Sequence, residues 1–496
     1  MYDFDVIVIG GGLLGCFTAR NLSRYQLKTA ILETREDVCT GISRANTAIV
    51  YSGYDTKPGT LKSKMCVQAA QNFASLCAEL GVRYKECGSI MVCFGPKGER
   101  ELRKKLVQGE QNGVKGLQLL TREETLAIEP NLRADVLLGL YAPDSGTVMP
   151  WELAMAAAEN AVHNGVRMFL ATKVTAIEKN DSGYLIYAGD QCFSARGVVN
   201  CAGMHADEIL EKVQEPSIRI FPDAGEYLVL DTKAGNYARH VLFYESEDKE
   251  QRLTVVPTVE GNILIASIKH RSEEKDLFKT SQAGLAKLTA SIADLVPGLP
   301  LEHVIRSFGA IRPNPFYVNF DPQKKLYMPS EKSINSFSIM ESADQPAFLS
   351  FIGIKTPGLT CANELGSYAA EKMASLLKAN INTEFCPREK IPVRLQDISF
   401  DKRAELIKEK PAYGRMVCRC RNISAGEIAD SIHAGAVSVD GVKRRTGATS
   451  GRCQGSFCTQ QIVEILAQER KVPVHSVCKD GAGSELIQPG KERRPS

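Results

Sequence analysis

The beginning of the chain predicts a strand, a helix and a second strand in close succession. Residues 5–9 form a short, mainly β-branched apolar run, which indicates a buried strand. Residues 13–25 are predicted to form a helix, and residues 28–33 return to an apolar, strand-like run. Glycines fill the turn between the first strand and the helix. This order of elements predicts the first unit of an α/β fold.

The pattern that follows predicts further helices and a mixed set of strands. Helices are predicted at residues 97–130, 151–164 and 360–380. Strands are predicted at residues 167–178, 184–188, 196–200, 252–259, 262–268 and 347–354. Because only Glu260-Gly261 separates two of these strands, we expect a hairpin there.

A change of composition divides the last quarter of the chain from the rest. Residues 381–411 are rich in proline and charge, which favours a linker or strap. Residues 412–480 form a compact, cysteine-bearing stretch, and residues 481–496 are predicted to be a tail whose last part, 489–496, is disordered. A small C-terminal domain is therefore expected after the α/β body.

Composition excludes several classes of protein. The 496 residues are 44% hydrophobic and 24% charged, and the net charge of +3 gives no reason to expect nucleic acid. No run approaches the ~20 apolar residues of a membrane span, and the N-terminus lacks the features of a signal peptide. The 15 cysteines, an odd and mostly scattered number, argue against a disulfide framework. We therefore expect a cytoplasmic protein.

The glycine turn predicts a dinucleotide site. In Gly10-x-Gly12-x-x-Gly15, the first glycine permits a tight turn, the second lets the backbone approach a pyrophosphate, and the third allows close packing of helix on sheet. The helix N-terminus offers free N–H groups to the phosphates. Glu33 ends the next strand, where it is placed to accept hydrogen bonds from the ribose. The alternative is a tight turn without a ligand.

Three later segments favour FAD over NAD. Residues 40–46 are a small polar loop suited to the second face of the pyrophosphate and to the flavin. Residues 198–203 are a strand that runs into a small-residue turn, as if packed against a nucleotide. Residues 353–360 end a strand and start a helix, so their N–H groups are suited to negative charge at one edge of a reduced flavin.

With these segments in order, residues 1–380 resemble the D-amino-acid-oxidase-type FAD oxidoreductases, and among them the glycerol-3-phosphate dehydrogenases and 2-hydroxyglutarate oxidases. The resemblance implies an α/β fold with a Rossmann-like, discontinuous FAD domain, residues 1–90, 146–212 and 340–380. It also implies an inserted mixed-sheet (α+β) substrate domain, residues 91–145 and 213–339. The residues expected to contact FAD are Gly10, Gly12, Leu14, Gly15, Glu33, Thr40, Gly41, Ser43, Arg44, Val174, Ala202, Gly203, Gly353, Thr356, Gly358 and Leu359.

The substrate site is expected to bind an anion. The resemblance places an anion-binding arginine at Arg312, whose guanidinium fork suits carboxylate or phosphate oxygens. Lys355 is expected beside the flavin edge, against the alternative of a solvated lysine at a strand end. Tyr51 stands where relatives often have histidine, and it is expected either to line the flavin or to be a core aromatic. The sequence names no proton acceptor.

Four cysteines form a pattern of their own. Cys418-x-Cys420 is followed, 32 residues later, by Cys453-x4-Cys458. Two close thiolate pairs can supply four ligands to a metal centre, and structural zinc is the alternative to an iron–sulfur cluster. The segment resembles the bacterioferritin-associated-ferredoxin-like [2Fe–2S] domain, a small helical domain. Ser424 and Glu427 predict a capping box at the start of one of its helices.

Together these features imply a dehydrogenase that oxidises a small anionic secondary alcohol. The resemblance points to glycerol 3-phosphate, giving dihydroxyacetone phosphate, with electrons passing through FAD and the cluster to a second oxidoreductase subunit or another acceptor. The segment Pro58-Gly59-Thr60-Leu61-Lys62 is closer to 2-hydroxyglutarate oxidases, which keeps that alternative open alongside an amino-acid dehydrogenase. A non-catalytic electron-transfer subunit and a tRNA-modifying flavoprotein are further alternatives. Membrane association is expected at most peripherally, through a partner.

Overall fold

The computed structural model describes residues 3–180, 183–247, 252–272, 274–276, 279–342, 344–388 and 391–488. The chain divides into two compact units, one formed by Met1–Thr34 and Val38–Pro387, the other by Arg35–Asp37 and Arg388–Ser496. The tail predicted at residues 489–496 lies outside the described residues. No helix in the described ranges has the length and apolar character needed to cross a membrane.

The helices of the described residues, in chain order, are α1 Leu13–Leu22, α2 Leu61–Leu80, α3 Pro96–Asn112, α4 Arg122–Ile128, α5 Pro150–His163, α6 Ala206–Leu210, α7 Gln282–Ser291, α8 Ala362–Leu377, α9 Phe400–Glu409, α10 Ala425–His433, α11 Val439–Thr446 and α12 Thr459–Arg470. The strands are β1 Phe4–Ile9, β2 Thr29–Leu32, β3 Ile49–Val50, β4 Tyr84–Lys85, β5 Ser89–Cys93, β6 Gln118–Thr121, β7 Leu138–Ala142, β8 Gly146–Val148, β9 Arg167–Phe169, β10 Ala176–Asn180, β11 Gly183–Ala188, β12 Gln191–Asn200, β13 Ile218–Leu230, β14 Val241–Glu245, β15 Arg252–Pro257, β16 Ile263–Arg271, β17 Val304–Asp321, β18 Leu326–Pro329, β19 Ser338–Ser342, β20 Gln345–Ile352, β21 Met416–Cys418 and β22 Ile423–Ser424.

The first sheet is built around the predicted strand–helix–strand unit. Its parallel centre runs β20-β12-β1-β2-β9, while β10, β11 and β19 extend it in antiparallel pairings. The residues of β1 and β2 are almost all buried, as expected for parallel strands covered on both faces. Helices α1, α5 and α8 pack together over this sheet. A Cβ at Gly366 would lie 2.8 Å from the Phe17 backbone, so the close approach of α8 to α1 requires a glycine there.

The second sheet in the described residues has nine strands in the order β18-β17-β13-β16-β15-β14-β5-β7-β6. Its longest pairing joins β13 and β17, which run antiparallel from Ile218 opposite Tyr317 to Leu230 opposite Val304. The burial of β13 alternates along its 13 residues, so one face packs on the core and the other faces outward. This alternation places every second residue of β13 and β17 on the same face, which matters for the site below.

The second unit contains a small helical domain around one hydrophobic core. Its helices α10, α11 and α12 bury apolar residues such as Ile428, Val442 and Leu466. The predicted capping box is present: Ser424 Oγ accepts the Glu427 N–H at 3.2 Å, and the Glu427 carboxylate accepts the Ser424 N–H at 2.8 Å. The helical C-terminal region and the α/β body therefore agree with the fold class expected from the sequence.

Two sequence predictions of local structure were wrong. The stretch 97–130 is not one helix, because α3 ends at Gly113 in the left-handed region and β6 then pairs with β7 before α4 begins. The strand expected at 167–178 is interrupted between β9 and β10, where Ala171 has a positive φ of 51°. The stretch 381–411, expected to be a linker or strap, includes the helix α9, whose N-cap is Ser399.

Candidate functional site

At two of its glycines, the turn between β1 and α1 leaves no room for a side chain. Gly10 has φ of +104°, and a Cβ there would lie 2.6 Å from the Cys201 carbonyl oxygen. A Cβ at Gly15 would lie 1.9 Å from the Gly10 carbonyl oxygen. Both contacts are shorter than any side chain allows. The first and third glycines therefore act as the sequence predicts, in a tight turn and a close helix-to-sheet contact.

The start of α1 is open to an anion. Gly12 is the N-cap and has no side chain of its own to cap the helix, and the first turn carries no acidic residue. A Cβ at Gly12 would meet only Ser43 Oγ, at 3.2 Å, and that oxygen accepts the Leu13 N–H at 3.0 Å. Ser43 and Leu14 thus lie at the helix start where a pyrophosphate would bind. Free N–H groups and the positive end of the helix dipole fit this group.

Glu33 lies where the dinucleotide interpretation requires an acid. The residue follows β2 and is buried, and its Oε2 accepts the Gly11 N–H at 2.6 Å. This second role, in which the carboxylate holds the glycine turn in place, was not predicted from the sequence. The next loop passes nearby, because the Thr172 N–H donates to the Glu33 carbonyl oxygen at 2.8 Å. That loop also carries the buried Val174.

Asn200, at the end of β12, organises the small-residue turn after it. Its Nδ2 donates to the Ala206 carbonyl oxygen at 2.7 Å and to Ser350 Oγ at 3.0 Å, and its Oδ1 accepts the Ala202 N–H at 3.2 Å. Gly203 follows with a φ of +59°. The loop containing Thr40, Gly41 and Arg44 is only partly buried, and residues 42–44 form a 3-10 turn. These segments line the same end of the first sheet as the glycine turn, as expected for a nucleotide site at strand carboxyl ends.

The loop before α8 joins the FAD side to the second sheet. A Cβ at Gly353 would lie 2.6 Å from Pro315 of β17, so the strand end passes directly against that sheet. Beyond a cis Thr356–Pro357 bond, the Gly358 N–H donates to the Lys355 carbonyl oxygen at 2.7 Å. Thr360 Oγ1 accepts the Tyr51 N–H at 3.0 Å. Lys355 and Tyr51 are therefore held on one loop system.

Arg312 on β17 and Lys355 on the loop before α8 lie close enough for their positive charges to interact. Arg312 lies opposite Asp223 of β13, and its buried Nε has no hydrogen-bond acceptor in the described part of the chain. Lys355 is 8% exposed, and its Nζ donates to Asn314 Oδ1 at 3.2 Å and to Ser333 Oγ at 3.3 Å. Asn314 also donates to Asp223. A buried guanidinium nitrogen without an acceptor, beside a lysine, is suited to an anionic ligand.

A third cation, Lys62 at the start of α2, belongs to this group, although the sequence did not identify it as a site residue. It is half-buried, and its Nζ donates to the Asn335 carbonyl oxygen at 2.9 Å. Burial lowers the pKa of Lys62, and the positive charge of Arg312 lowers it further against the opposing pull of Asp55. Arg312, Lys355 and Lys62 are called the cationic group below.

Electrostatics within the cationic group favour an added negative charge. Burial lowers the pKa of Lys355 to about 8, with the positive charges of Arg312 and Lys62 as the next causes. Burial likewise lowers the pKa of Arg312, against the partial compensation of Tyr51, Tyr227 and Asp223. The three cations are opposed by two carboxylates, Asp223 and Asp55, so positive charge is left uncompensated. A dianion would compensate that charge.

Two tyrosines complete the site as hydrogen-bond donors. The ring of Tyr51 stacks on Phe243 at 5.8 Å between centroids, and Tyr227 stacks on Phe308 at 4.7 Å. Burial raises the pKa of each phenol to about 12. Both hydroxyls therefore stay protonated at neutral pH, so neither tyrosine is suited to accept a proton from a substrate. Tyr51 therefore packs in an aromatic contact with Phe243 and also lies near Arg312.

The second unit brings the four predicted cysteines together. The sulfurs of Cys418 and Cys420 lie 3.9 Å apart, and those of Cys420 and Cys453 lie 3.7 Å apart. Cys418 and Cys458 are 1% exposed, and a hydrogen bond from Cys418 lowers the pKa of the Cys458 thiol. No set of three or more His, Cys, Asp or Glu side chains in the described ranges is placed to hold a single metal ion. Four thiols that serve two irons do not need such a common centre.

The loops around these sulfurs are shaped for a buried cluster. Burial opposes ionisation of Cys453, but N–H groups of Gly455 and Phe457 donate to its sulfur and lower the pKa of the thiol. A Cβ at Gly451 would lie 2.4 Å from the Cys420 sulfur, so only glycine lets this loop pass. Backbone N–H groups aimed at thiolates are the usual means of stabilising an iron–sulfur centre.

Comparison with known families agrees with both sites. The family described as FAD dependent oxidoreductase matches residues 5–372, and the BFD-like [2Fe-2S] binding domain matches residues 416–468. The chain is 37% identical over 487 residues to a glycerol 3-phosphate dehydrogenase of Caloramator mitchellensis, covering 98% of each chain. It is 28% identical over 245 residues to an L-2-hydroxyglutarate dehydrogenase of Indibacter alkaliphilus, covering 49% of this chain and 61% of the relative.

A solved structure shares the fold of the first unit. The dithionite-reduced L-α-glycerophosphate oxidase of Mycoplasma pneumoniae, with FAD bound, superposes with a TM-score of 0.68 at 23% identity. The match covers 79% of this chain and 99% of that chain. The fold expected from the sequence, a Rossmann-like FAD domain with an inserted mixed sheet, is therefore confirmed.

Proposed function

Because the chain belongs to the family of FAD-dependent oxidoreductases and carries a [2Fe–2S] domain, we propose that it oxidises glycerol 3-phosphate to dihydroxyacetone phosphate. Electrons leave through FAD and the cluster to a partner, either a second oxidoreductase subunit or a separate acceptor. The reaction takes place in the cytoplasm, with membrane association at most through that partner.

The cationic group is the observation that carries the substrate assignment. Arg312 offers a buried Nε without an acceptor, and Lys355 and Lys62 add two further charges. A phosphate monoester carries close to two negative charges at neutral pH, which matches this excess of positive charge. A relative that aligns with 98% of the chain, and so with both units, is a glycerol 3-phosphate dehydrogenase. The 2-hydroxyglutarate dehydrogenase covers only half of the chain.

The chain's own residues bind and orient the substrate. When bound, FAD supplies a two-electron acceptor for hydride from the alcohol carbon, and the cluster supplies a one-electron carrier. Arg312 grips the anionic end through its fork, and Lys355, oriented by Asn314 and Ser333, holds the same oxygens from the loop side. The hydroxyls of Tyr51 and Tyr227 donate hydrogen bonds and exclude water. These contacts place the alcohol carbon in one orientation.

The FAD contacts are proposed residue by residue from the same geometry. The turn at Gly10, Gly12 and Gly15 takes the pyrophosphate with Leu14 and Ser43, and Glu33 takes the ribose. The other contacts proposed for the nucleotide and flavin are Thr40, Gly41, Arg44, Val174, Ala202, Gly203, Gly353, Thr356, Gly358 and Leu359. The cluster ligands are Cys418, Cys420, Cys453 and Cys458.

A panel of anaerobic flavin-bleaching rates tests the substrate. The panel contains glycerol 3-phosphate, L- and D-2-hydroxyglutarate, lactate, proline and glycine, with glycerol as a matched alcohol that lacks the phosphate. We expect glycerol 3-phosphate to bleach the flavin fastest and glycerol to be almost inactive. If a 2-hydroxyglutarate enantiomer bleaches the flavin fastest, the anion-binding role of the cationic group stands but the substrate assignment is wrong. A neutral or zwitterionic compound in first place would contradict both.

A further inference from the structure

A large aromatic side chain is exposed beside the cluster cysteines. Phe457 is 81% exposed and lies between Cys453 and Cys458 in sequence. Its backbone N–H donates to the Cys453 sulfur, so the residue is fixed to the wall of the cluster site. An apolar ring held in water at such a position has no role in packing the core. Aromatic side chains in this setting are typical anchors of protein–protein contacts.

The loops that hold the cysteines are positively charged. Residues 416–423 and 447–459 contain the three arginines 419, 421 and 452 and no aspartate or glutamate. Arg419 and Arg452 are exposed, and neither has an ion-pair partner in the described part of the chain. Other basic residues of this region do have acidic partners, such as Lys479 with Asp440 and Arg444 with Asp37 and Asp480. Arg419 and Arg452 are therefore available to an external anion.

The four cysteines differ in exposure, which gives the cluster one accessible edge. Cys418 and Cys458 are buried, whereas Cys420 and Cys453 are half-exposed. The exposed arginines adjoin the latter two in sequence, since Arg419 precedes Cys420 and Arg452 precedes Cys453. Arg419, Arg452 and Phe457, with Cys420 and Cys453, are called the cluster face. An electron leaves a buried centre most readily through its least covered edge.

We propose that the cluster face docks an acidic one-electron carrier protein, with the Phe457 ring as the apolar anchor and the two arginines as the charged rim. This inference rests on the proposed electron exit through the cluster. Each alcohol oxidised to a ketone releases two electrons and two protons. The cluster passes the electrons on one at a time, and two docked carriers in succession are each reduced by one electron. Complementary charge speeds the encounter, and the aromatic anchor prolongs it.

Calorimetric binding to a small acidic ferredoxin and to an acidic flavodoxin, both oxidised, tests the docking. The titrations use the complete holoprotein with FAD and cluster. Phe457→Ala should weaken binding at least tenfold at every salt concentration. The double variant Arg419→Glu/Arg452→Glu should weaken it at least tenfold at low salt, with a smaller difference at 0.5 M salt because added ions screen the charges.

Two exposed residues on α9 provide matched controls. Phe400 is 82% exposed, so Phe400→Ala removes a ring as open as that of Phe457. Lys402 is exposed, and Lys402→Glu reverses one charge in the same unit, against two in the double variant. Both control variants should bind within twofold of the parent. Equal losses in the control variants would show that the effect belongs to the net charge or the fold of the domain.

The spectroscopic and redox properties of the cluster distinguish binding of a carrier protein from adjustment of the cluster's midpoint potential by the arginines. In the docking interpretation, Phe457→Ala leaves the paramagnetic signal, the midpoint potential of the cluster and substrate-driven flavin bleaching unchanged. The double arginine variant lowers the potential, because negative charge beside the cluster disfavours its reduction, and it also loses binding. A shift in potential with unchanged binding would overturn the proposal and assign the arginines to the cluster itself. Absence of binding of both carriers to the parent protein would also overturn it. The flavin-bleaching panel would be unaffected by either result, so failure of this inference and failure of the proposed function can be told apart.

Discussion

The dinucleotide turn and the cationic group belong to the same unit, but the chain assembles them in opposite ways. The turn comes from one short stretch in which Gly10 and Gly15 fit only as glycine, because a Cβ would collide with neighbouring backbone. The cationic group draws Lys62, Arg312 and Lys355 from three distant segments. The turn depends on local backbone geometry and the cationic group on long-range register. A site of the first kind can be predicted from sequence, and one of the second kind only in part.

Substitution at Gly12 tests the turn and should have the largest effect. Gly12→Asp places a carboxylate at the helix N-terminus where we propose that the pyrophosphate binds, so we expect protein without flavin. Gly12→Ala is the matched control, because its Cβ meets only Ser43 Oγ at 3.2 Å and the space tolerates it better. The flavin absorbance of the purified proteins measures both. Full flavin content in Gly12→Asp would show that the pyrophosphate does not bind at this turn.

Removal of the Arg312 side chain tests the cationic group. Arg312→Ala should reduce kcat/KM roughly 10- to 150-fold. This corresponds to a loss of about 1.5–3 kcal/mol of transition-state stabilisation, the usual loss for a hydrogen bond to a charged group. FAD content should stay at the parent level, since Arg312 belongs to β17 and not to the glycine turn. Steady-state kinetics with glycerol 3-phosphate provide the measurement. Arg312→Lys keeps the positive charge but not the forked guanidinium, so its kcat/KM should lie between those of the parent and of Arg312→Ala. Unchanged kinetics in Arg312→Ala would remove the arginine from the site.

The pH dependence of kcat/KM tests the role of Lys355. Its pKa in the folded protein is lowered to about 8, so the side chain is an ammonium below that pH and a neutral amine above it. If the ammonium binds the substrate anion, kcat/KM falls about three- to tenfold as the pH rises through 8. Lys355→Arg should remove this limb, because arginine stays charged. A rise of kcat/KM through pH 8 would instead identify the neutral amine as a proton acceptor.

Lys62 should contribute the least of the three cations because it is half-buried and partly solvated. Lys62→Gln should cost about 0.5–1 kcal/mol, a two- to fivefold rise in KM, as for partly exposed ion pairs. Lys64 is exposed two residues further along α2, so Lys64→Gln is the matched control and should leave KM unchanged. Equal effects of the two substitutions would indicate a general change of surface charge.

The sequence anticipated those parts of the molecule that rest on local chemistry. The strand–turn–helix at the N-terminus, the hairpin around Glu260-Gly261 and the Ser424–Glu427 capping box each depend on neighbouring residues. The strand β6 was missed because its four residues have no alternating pattern and are defined by pairing with β7. Asn314 was missed as the residue that orients Lys355, because only the register of β13 against β17 brings it to Asp223.

Lys62 illustrates the same limit in the candidate site. The segment that contains it was noticed for its resemblance to 2-hydroxyglutarate oxidases, yet nothing in its spacing relates it to Arg312, which is 250 residues away. Its charge became informative only beside two other cations. A comparison of the substrate's two negative charges with the number of cationic side chains assigned to the site would have identified it, because a dianion calls for more than one arginine.

An anaerobic titration with glycerol 3-phosphate, followed by flavin absorbance and by the cluster's paramagnetic signal, tests the central claim most directly. FAD takes two electrons and the cluster one, so complete reduction of both should need about 1.5 equivalents of substrate. In Cys453→Ser, which loses a cluster ligand, the flavin should still bleach with about 1.0 equivalent, whereas Cys478→Ser should match the parent. Flavin that bleaches at about 1.0 equivalent in the parent, with no cluster signal, would contradict electron flow from substrate through FAD to the cluster.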